Sequence, residues 1–280
     1  MKWIIILIVF IVLAAFIVPG LFNDLKIQHY SVNAVNISNS IRIALVTDLH
    51  SCRYGEKEQE LIEAIDEQKP DIIMMAGDIF DNVIPDDNTE YFLQGVVEKY
   101  PCYYVTGNHE YWSGSSAFSE KMAVLEKYGV KRLSGEFEAV TVNGETINVC
   151  GVDDPDAYMV ASKSAYQNDL SFDEQLIRVN ELSDNGNYTI LISHRPELFK
   201  NYTKYDFDLV LCGHAHGGQW RIPGILNGLY APNQGLFPKY AGGEYNDGRT
   251  KMIVSRGLAR ENTRVPRIYD RPELVIVDLN

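Results

Sequence analysis

Short apolar segments alternate with amphipathic segments from residue 41 onward, and this alternation restricts the chain to a small set of folds. The predicted strands are 41–47, 71–77, 102–107, 146–152, 188–194, 207–213, 251–257 and 272–279, and the predicted helices are 56–69, 87–100 and 116–128. Strands that alternate with helices form βαβ units around a largely parallel sheet. Runs that are apolar throughout are typical of strands covered on both faces. The pattern therefore predicts an α/β fold with a mainly parallel core and some antiparallel strands late in the chain.

Five of the predicted strands lead directly into residues of the types that bind metal ions in proteins. These residues are Asp48, His50, Asp78, Asn108, His109, His194, His214 and His216. In an open α/β sheet, ligands collect at the edge formed by the carboxyl ends of the strands, so we expect these side chains to lie close together. Five of the six histidines in the chain are among them, a distribution that isolated surface or core histidines would not produce.

The residue types at the strand ends indicate a metal site. Histidine combined with carboxylate suits divalent transition metals such as Mn, Fe or Zn. Asp48 and His50 are two residues apart, so an extended backbone would point both side chains the same way. His214 and His216 have the same spacing. Without His109 the strand ends offer seven candidate ligands, too many for one four-coordinate ion, and we predict two ions that share a bridging carboxylate.

The order of these motifs resembles that of the calcineurin-like metallophosphoesterases. The matching motifs are D-x-H (48–50), G-D (77–78), G-N-H-E (107–110), His194 and G-H-x-H (213–216), and the resemblance covers about residues 41–280. It implies a β-sandwich of mixed sheets flanked by helices. It further implies one ion held by Asp48, His50, Asp78 and His216, and a second held by Asp78, Asn108, His194 and His214. By the same resemblance, His109 acts on the scissile phosphate as a general acid or transition-state stabiliser.

Finer features resemble the membrane-associated branch of that family. They are the N-terminal apolar segment, G-H-A-H-G-G-Q (213–219), S-R-G-L (255–258) and V-P-R (265–267). The stretch 217–248 is rich in Gly, Pro and aromatic residues and interrupts the strand pattern. Long segments without regular structure are often functional, so we expect this stretch to shape the site.

The resemblance implies a metal-dependent phosphoric ester hydrolase. We expect cleavage of a phosphodiester or pyrophosphate bond by a metal-activated hydroxide, on a substrate linked to a lipid or a nucleotide. Mn²⁺ is the expected ion, with Fe or Zn as alternatives. An exonuclease-like phosphodiesterase and a non-catalytic metal-binding scaffold of the same fold are the alternative interpretations. Arg195, which directly follows His194, is either a phosphate contact or a surface arginine.

The N-terminal segment is apolar over residues 3–18, and Pro19 and Gly20 follow it. A helix over residues 3–22 would be roughly 30 Å long, which matches the hydrocarbon core of a bilayer. We therefore predict a transmembrane anchor at 1–22, with a cleaved signal peptide as the alternative. Residues 23–40 would form a linker or an edge strand, and 41–280 the phosphoesterase domain. This predicts a single-pass protein of the cell membrane. The side of the membrane on which the domain lies stays open, with the extracytoplasmic side favoured.

The charge of the chain bears on its partners. The formal net charge is -13, and no basic stripe is present in the sequence. Sequence-independent binding of nucleic acid needs clustered Lys and Arg, so nucleic acid is not an expected partner. The expected partners are a phosphate-ester substrate and a membrane.

Overall fold

Two six-stranded mixed sheets pack face to face in the computed structural model, which describes residues 2–3, 11, 17–159, 169–260 and 265–280. The first sheet has the order β1 (Lys26–Val32), β14 (Glu273–Leu279), β2 (Ile41–Val46), β3 (Ile72–Ala76), β4 (Cys102–Val105) and β5 (Lys131–Arg132). The second has the order β12 (Gly243–Asp247), β13 (Thr250–Val254), β9 (Leu209–Cys212), β8 (Tyr188–Ile192), β7 (Glu145–Gly151) and β6 (Glu136–Val142). A short hairpin of β10 (Tyr230–Ala231) and β11 (Gly235–Leu236) lies outside both sheets.

The pairing within each sheet confirms the predicted mixed α/β fold. Strands β2 to β5 are parallel, as are β7, β8, β9 and β13. Antiparallel pairing joins β14 to β2, β12 to β13, and β6 to β7. The stretch 23–40 contains β1, which forms the edge of the first sheet, parallel to β14.

The α-helices that follow β2 pack mostly on the outer faces of the sandwich. They are α1 (Gln59–Gln68), α2 (Asp87–Val96), α3 (Asn108–Trp112), α4 (Ser115–Lys127), α5 (Phe172–Leu182) and α6 (Phe199–Tyr202). Alternate residues of β2 explain the continuous apolar run, because Ile43 and Leu45 point into the sandwich while Ala44 and Val46 lie in a second cluster with α1 and α2. All of these side chains are buried, as expected for strands covered on both faces.

All eight predicted strands and all three predicted helices are present, but most strands end earlier than predicted. The chain leaves the extended conformation before the candidate ligands and turns over the strand ends. Helices α3, α5 and α6 and strands β5, β6, β10, β11 and β12 were not predicted.

The predicted anchor at 1–22 lies largely outside the described residues. Within the described part of the chain, no helix has the length and apolar character needed to cross a membrane. Residues 17–20 form a helical turn, and the Tyr269 N–H donates to the Gly20 carbonyl at 2.7 Å. This contact fixes the end of the apolar segment against the C-terminal part of the domain.

Candidate metal centre

Five of the predicted ligands have a left-handed backbone. The φ angles are 49° at Asp48, 49° at His50, 52° at Asp78, 66° at His214 and 45° at His216. Residues other than glycine rarely adopt this conformation, which costs about 1–3 kcal/mol per residue and clusters at functional sites. The expectation that extended backbone aligns Asp48 with His50, and His214 with His216, is therefore wrong. Tight turns at the strand ends bring these side chains together instead.

Gly77 and Glu110 hold the turn that presents Asp78. Gly77 has a φ of 84°, and a Cβ there would lie 2.6 Å from Nδ1 of His194, so only glycine fits. The buried Glu110 carboxylate accepts backbone N–H groups of Asp78, Ile79, Phe80 and Gly107 at distances of 2.8–3.1 Å. Glu110, the last residue of the G-N-H-E motif, is thus a structural clamp between the ends of β3 and β4.

The first group of ligands consists of Asp48, His50 and His216, whose ligand atoms lie within 4.8 Å of one another. Nε2 of His216 lies 3.6 Å from Asp48 Oδ1, and the rings of His50 and His216 stack at 5.2 Å between centroids. Nδ1 of His50 lies 3.0 Å from Asp81 Oδ2, and Nε2 of His50 lies 3.6 Å from Asp78 Oδ2. Asp78 is therefore within reach of this group.

The second group consists of Asp78, His194 and His214, which are all buried. Nε2 of His194 lies 3.2 Å from Asp78 Oδ2 and 3.2 Å from Nδ1 of His214. Nδ1 of His194 lies 2.8 Å from the Ala76 carbonyl, which can only accept, so Nδ1 carries a proton and Nε2 faces the group. Asn108 follows β4 at the same edge, and the N–H of His109 donates to Asp78 Oδ1 at 2.8 Å.

The donor set fits divalent cations. His50 Nε2, Asn108 Oδ1 and His216 Nδ1 are buried atoms without a hydrogen-bond partner among the described residues, and buried polar atoms are seldom left so. Burial raises the pKa of Asp48. Burial acts the same way on Asp78, but the neighbouring histidines, above all His194, outweigh it and hold the pKa of Asp78 well below its usual range. Oxygen and imidazole nitrogen atoms in two adjacent groups suit two ions of the Mn, Fe or Zn type.

The model of the family described as calcineurin-like phosphoesterase matches residues 41–218. The chain belongs to this family. The calcineurin-like phosphoesterase described here is accordingly a metal-dependent phosphoester hydrolase, and the predicted family and enzyme class are confirmed. The metal dependence of this enzyme class agrees with the ligand groups at the strand ends, to which His50, Asp81 and His109 add a third possible group.

Curated relatives are similar over most of the chain. An uncharacterized metallophosphoesterase of Aquifex aeolicus is 29% identical over 264 residues, which cover 91% of this chain and 92% of that protein. The uncharacterized metallophosphoesterase YkuE of Bacillus subtilis is 28% identical over 249 residues, which cover 86% of this chain and 79% of YkuE.

Two solved nucleotidases share the fold of this calcineurin-like phosphoesterase. The Haemophilus influenzae NAD nucleotidase NadN has a TM-score of 0.55 at 17% identity, covering 81% of this chain and 46% of NadN. The 5'-nucleotidase precursor of Thermus thermophilus has a TM-score of 0.54 at 14% identity, covering 78% of this chain and 49% of that one. The phosphoesterase chain spans about half the length of these two proteins, and the likeness supports the fold.

His109 lies beside the first group of ligands. Its ring centroid is 4.3 Å from that of His50 and 4.8 Å from that of Trp112, and its Nδ1 is 3.4 Å from Asp81 Oδ2. Burial lowers the pKa of His109, but the negative charges of Asp78 and Asp81 outweigh it and raise the pKa above its usual value. His109 can therefore hold a proton at the edge of the site.

Asp81 is a site residue that the sequence interpretation missed. It is buried, and its Oδ2 faces both His50 and His109, while its Oδ1 accepts the N–H groups of Val83 and Ile84 at 2.7 and 2.8 Å. The carboxylate orients one predicted ligand and the predicted catalytic histidine. The one available signal was its position three residues after Asp78, in the same turn.

Neither interpretation of Arg195 agrees with the structure. Arg195 is 3% exposed, so it is not a surface arginine. Its Nε and Nη2 donate to the two oxygens of Asp154 at 2.5 and 2.8 Å, and its Nη1 donates to Asn233 Oδ1 at 2.7 Å. A guanidinium engaged on both sides is not available to hold a phosphate. Arg195 therefore has a structural role, in which it links Asp154 to Asn233 beside the site.

Proposed function

We propose that this protein is a membrane-anchored phosphoesterase that uses two Mn²⁺ ions to hydrolyse a phosphodiester or pyrophosphate bond in a lipid-linked substrate. The observation that carries the proposal is a rim of exposed apolar side chains on segments that also contact the ligand groups, Asp81 or His109. A soluble substrate would not require that rim.

The proposed ligands divide between the two ions. Asp78 would serve both, because His50 Nε2 and His194 Nε2 lie 3.6 and 3.2 Å from its Oδ2. The ligands of the first ion would be Asp48, His50, Asp78 and His216, and those of the second Asp78, Asn108, His194 and His214. Two bound ions supply positive charge at the phosphoryl oxygens and lower the pKa of water. The neutral amide of Asn108 limits the negative charge that an anionic substrate would meet.

His109 is the proposed catalytic acid. Its Nδ1 faces Asp81, which leaves Nε2 as the nitrogen that can donate a proton to the leaving oxygen. Asp81 keeps the imidazole oriented, and the carboxylates of Asp78 and Asp81 favour the protonated ring. Trp112, which is 53% exposed, packs against His109 and excludes water from one side of the ring.

The apolar rim supports a membrane or lipid partner. We define the rim as Val83, Trp112, Trp220, Tyr230, Leu236 and Phe237, which are 40–78% exposed. Val83 donates its N–H to Asp81, and Trp112 packs against His109. Tyr230 and Leu236 pair with each other in the hairpin of β10 and β11. Exposed apolar groups concentrated beside one site mark an interaction surface, and acyl chains match its chemistry.

The N-terminal segment supports the same orientation. The Trp220 side chain donates to the Pro266 carbonyl at 2.9 Å, and Arg221 N–H donates to the Ile268 carbonyl at 2.9 Å. The neighbouring Tyr269 holds Gly20, so the residue that closely follows the apolar run lies near Trp220 of the rim. A bilayer reached by that run would also meet the rim. We propose a single-pass anchor of the cell membrane with the domain on the extracytoplasmic side.

A substrate panel tests the proposal. Full-length protein in mild detergent, stripped of metal and reloaded with Mn²⁺, is assayed on a simple diester, a monoester, a nucleotide sugar, single-stranded DNA, and a lipid-linked pyrophosphate in mixed micelles. We expect the lipid-linked substrate to have the highest kcat/KM and the diester to be cleaved slowly. Higher kcat/KM for a soluble nucleotide or for DNA would overturn the lipid assignment, and no hydrolysis with any divalent metal would overturn the enzymatic one.

A further inference from the structure

His214 has its two ring nitrogens in different surroundings. Nδ1 lies 3.2 Å from Nε2 of His194, inside the second ligand group, whereas Nε2 faces two groups, Asn233 Oδ1 at 2.9 Å and Arg195 Nη1 at 3.1 Å. A neutral imidazole carries one proton, so Nδ1 can act as a ligand only when Nε2 holds that proton and donates it to an acceptor. The partner of Nε2 therefore decides whether His214 is ready to bind a metal.

Asn233 is the residue that supplies this acceptor. It has a left-handed φ of 58° and lies between Ala231 and Gly235, at the turn of the hairpin formed by β10 and β11. This hairpin belongs to the stretch 217–248, which the sequence predicts to shape the site. The turn brings an amide from a segment outside both sheets into contact with His214.

Arg195 determines which end of the Asn233 amide faces His214. Arginine has only donors. Its Nη1 lies 2.7 Å from the same Oδ1 that faces His214 Nε2 and 3.1 Å from Nε2 itself, so of these two neighbours Oδ1 alone can accept a proton from Nε2. A flipped amide would place its NH₂ group against the guanidinium and lose that hydrogen bond. Arg195 is itself fixed by the buried carboxylate of Asp154. Asp154, Arg195, Asn233 and His214 thus form one chain of directed contacts.

We propose that Asn233 is a positioning residue that keeps the proton of His214 on Nε2 and so leaves Nδ1 for the second metal ion. The proposal rests on the proposed two-metal function. It concerns the affinity of one ion of the pair, since Asn233 makes no hydrogen bond to a member of the first ligand group within the part of the chain that the structure describes. Partners of this kind commonly change metal affinity by about 10–100-fold.

Binding of Mn²⁺ to metal-free full-length protein, followed by electron paramagnetic resonance of the free ion, tests the inference without turnover. In Asn233→Ala we expect one of two sites to weaken by about 10–100-fold while the other is unchanged. Asn233→Asp keeps an acceptor and should restore affinity to near that of the wild type. Asn246→Ala, which removes an exposed asparagine bonded to Glu244, is the matched control and should bind like the wild type.

The outcomes separate the inference from the proposed function. Two unchanged sites in Asn233→Ala, or equal losses in Asn233→Ala and Asn233→Asp, would overturn the role of Asn233 while the two-metal function survives. A wild-type protein that binds fewer than two ions would overturn the function itself. Thermal unfolding of the metal-free variants detects misfolding. A melting temperature of Asn233→Ala well below that of Asn246→Ala would show that Asn233 stabilises the fold, and would overturn its role in setting the tautomer of His214.

Discussion

Replacing Glu110 with glutamine should destabilise the domain strongly, although it exchanges only one carboxylate oxygen for an NH₂ group. Oε1 of Glu110 accepts the N–H groups of Ile79 and Phe80 at 2.9 and 3.1 Å. Oε2 accepts those of Asp78 and Gly107 at 3.1 and 2.8 Å. The amide of a glutamine has one acceptor oxygen, so two of these four donors would face an NH₂ group. Flipping the amide changes which two donors are affected, but not their number.

The number of donors left without an acceptor sets the expected loss of stability. Each buried donor left without an acceptor costs about 1–3 kcal/mol, so the free energy of unfolding should fall by about 2–6 kcal/mol in Glu110→Gln. For a domain of this size, about 2 °C of melting temperature is lost per kcal/mol, and we expect a decrease of about 4–12 °C. The exposed Glu126 in α4 offers a matched control, and Glu126→Gln should change stability by less than about 0.5 kcal/mol.

The assay is thermal and urea unfolding of metal-free protein, which separates the fold from metal binding. Burial raises the pKa of Glu110 to about 7, so unfolding at about pH 8.5 compares an ionised carboxylate with the amide. Equal melting temperatures for Glu110→Gln and Glu126→Gln would refute the assignment of Glu110 as the clamp between β3 and β4. A lower melting temperature with an unchanged urea m-value would support it.

Four further predictions concern the metals, the acid and the anchor. His109→Ala should bind two ions but lose about 10²–10⁴-fold in kcat, whereas the exposed His29→Ala should be unaffected, and an unchanged rate would reject the proposed acid. Asp78→Asn should lower both metal occupancy and rate, and two fully occupied sites would contradict a bridging role. Metal removal should lower the melting temperature, since an ion at 100 times its Kd stabilises by about 2.7 kcal/mol. Deleting 1–22 should abolish flotation with vesicles. Continued flotation would contradict the anchor and indicate that the rim binds the membrane.

The sequence points to this edge of the fold because five of the eight predicted strands lead directly into a polar residue. A continuous apolar run followed by aspartate or histidine is visible without any structure, and parallel strands deliver their ends to one edge. The extended conformation predicted for those ends was wrong, because the side-chain type of a residue such as Asp48 does not indicate a left-handed turn. Helix α5 was missed although Ser171 and Glu174 form a capping box at its start, a recognisable signal.

The supporting residues were beyond sequence reasoning for a different reason. Asp81 and Asn233 carry no periodic pattern, and their importance lies in the atoms that they face. Asn233 reaches His214 from 19 positions away, through a hairpin within an irregular stretch. Arg195 shows the same limit, because its pairing with Asp154 spans 41 positions and reverses the expectation of a surface side chain. Contacts of this kind depend on the closed fold.

Each ligand group draws members from both sheets. Asp48 and Asp78 follow strands of the first sheet, whereas His194, His214 and His216 follow strands of the second. A nascent chain that has made only one sheet therefore has only part of each group and cannot complete either of them. Metal uptake thus reports the moment when the sandwich closes, and in a refolding experiment it should coincide with the last event of assembly. Bound ions would tie the two sheets together at the edge that carries the candidate ligands.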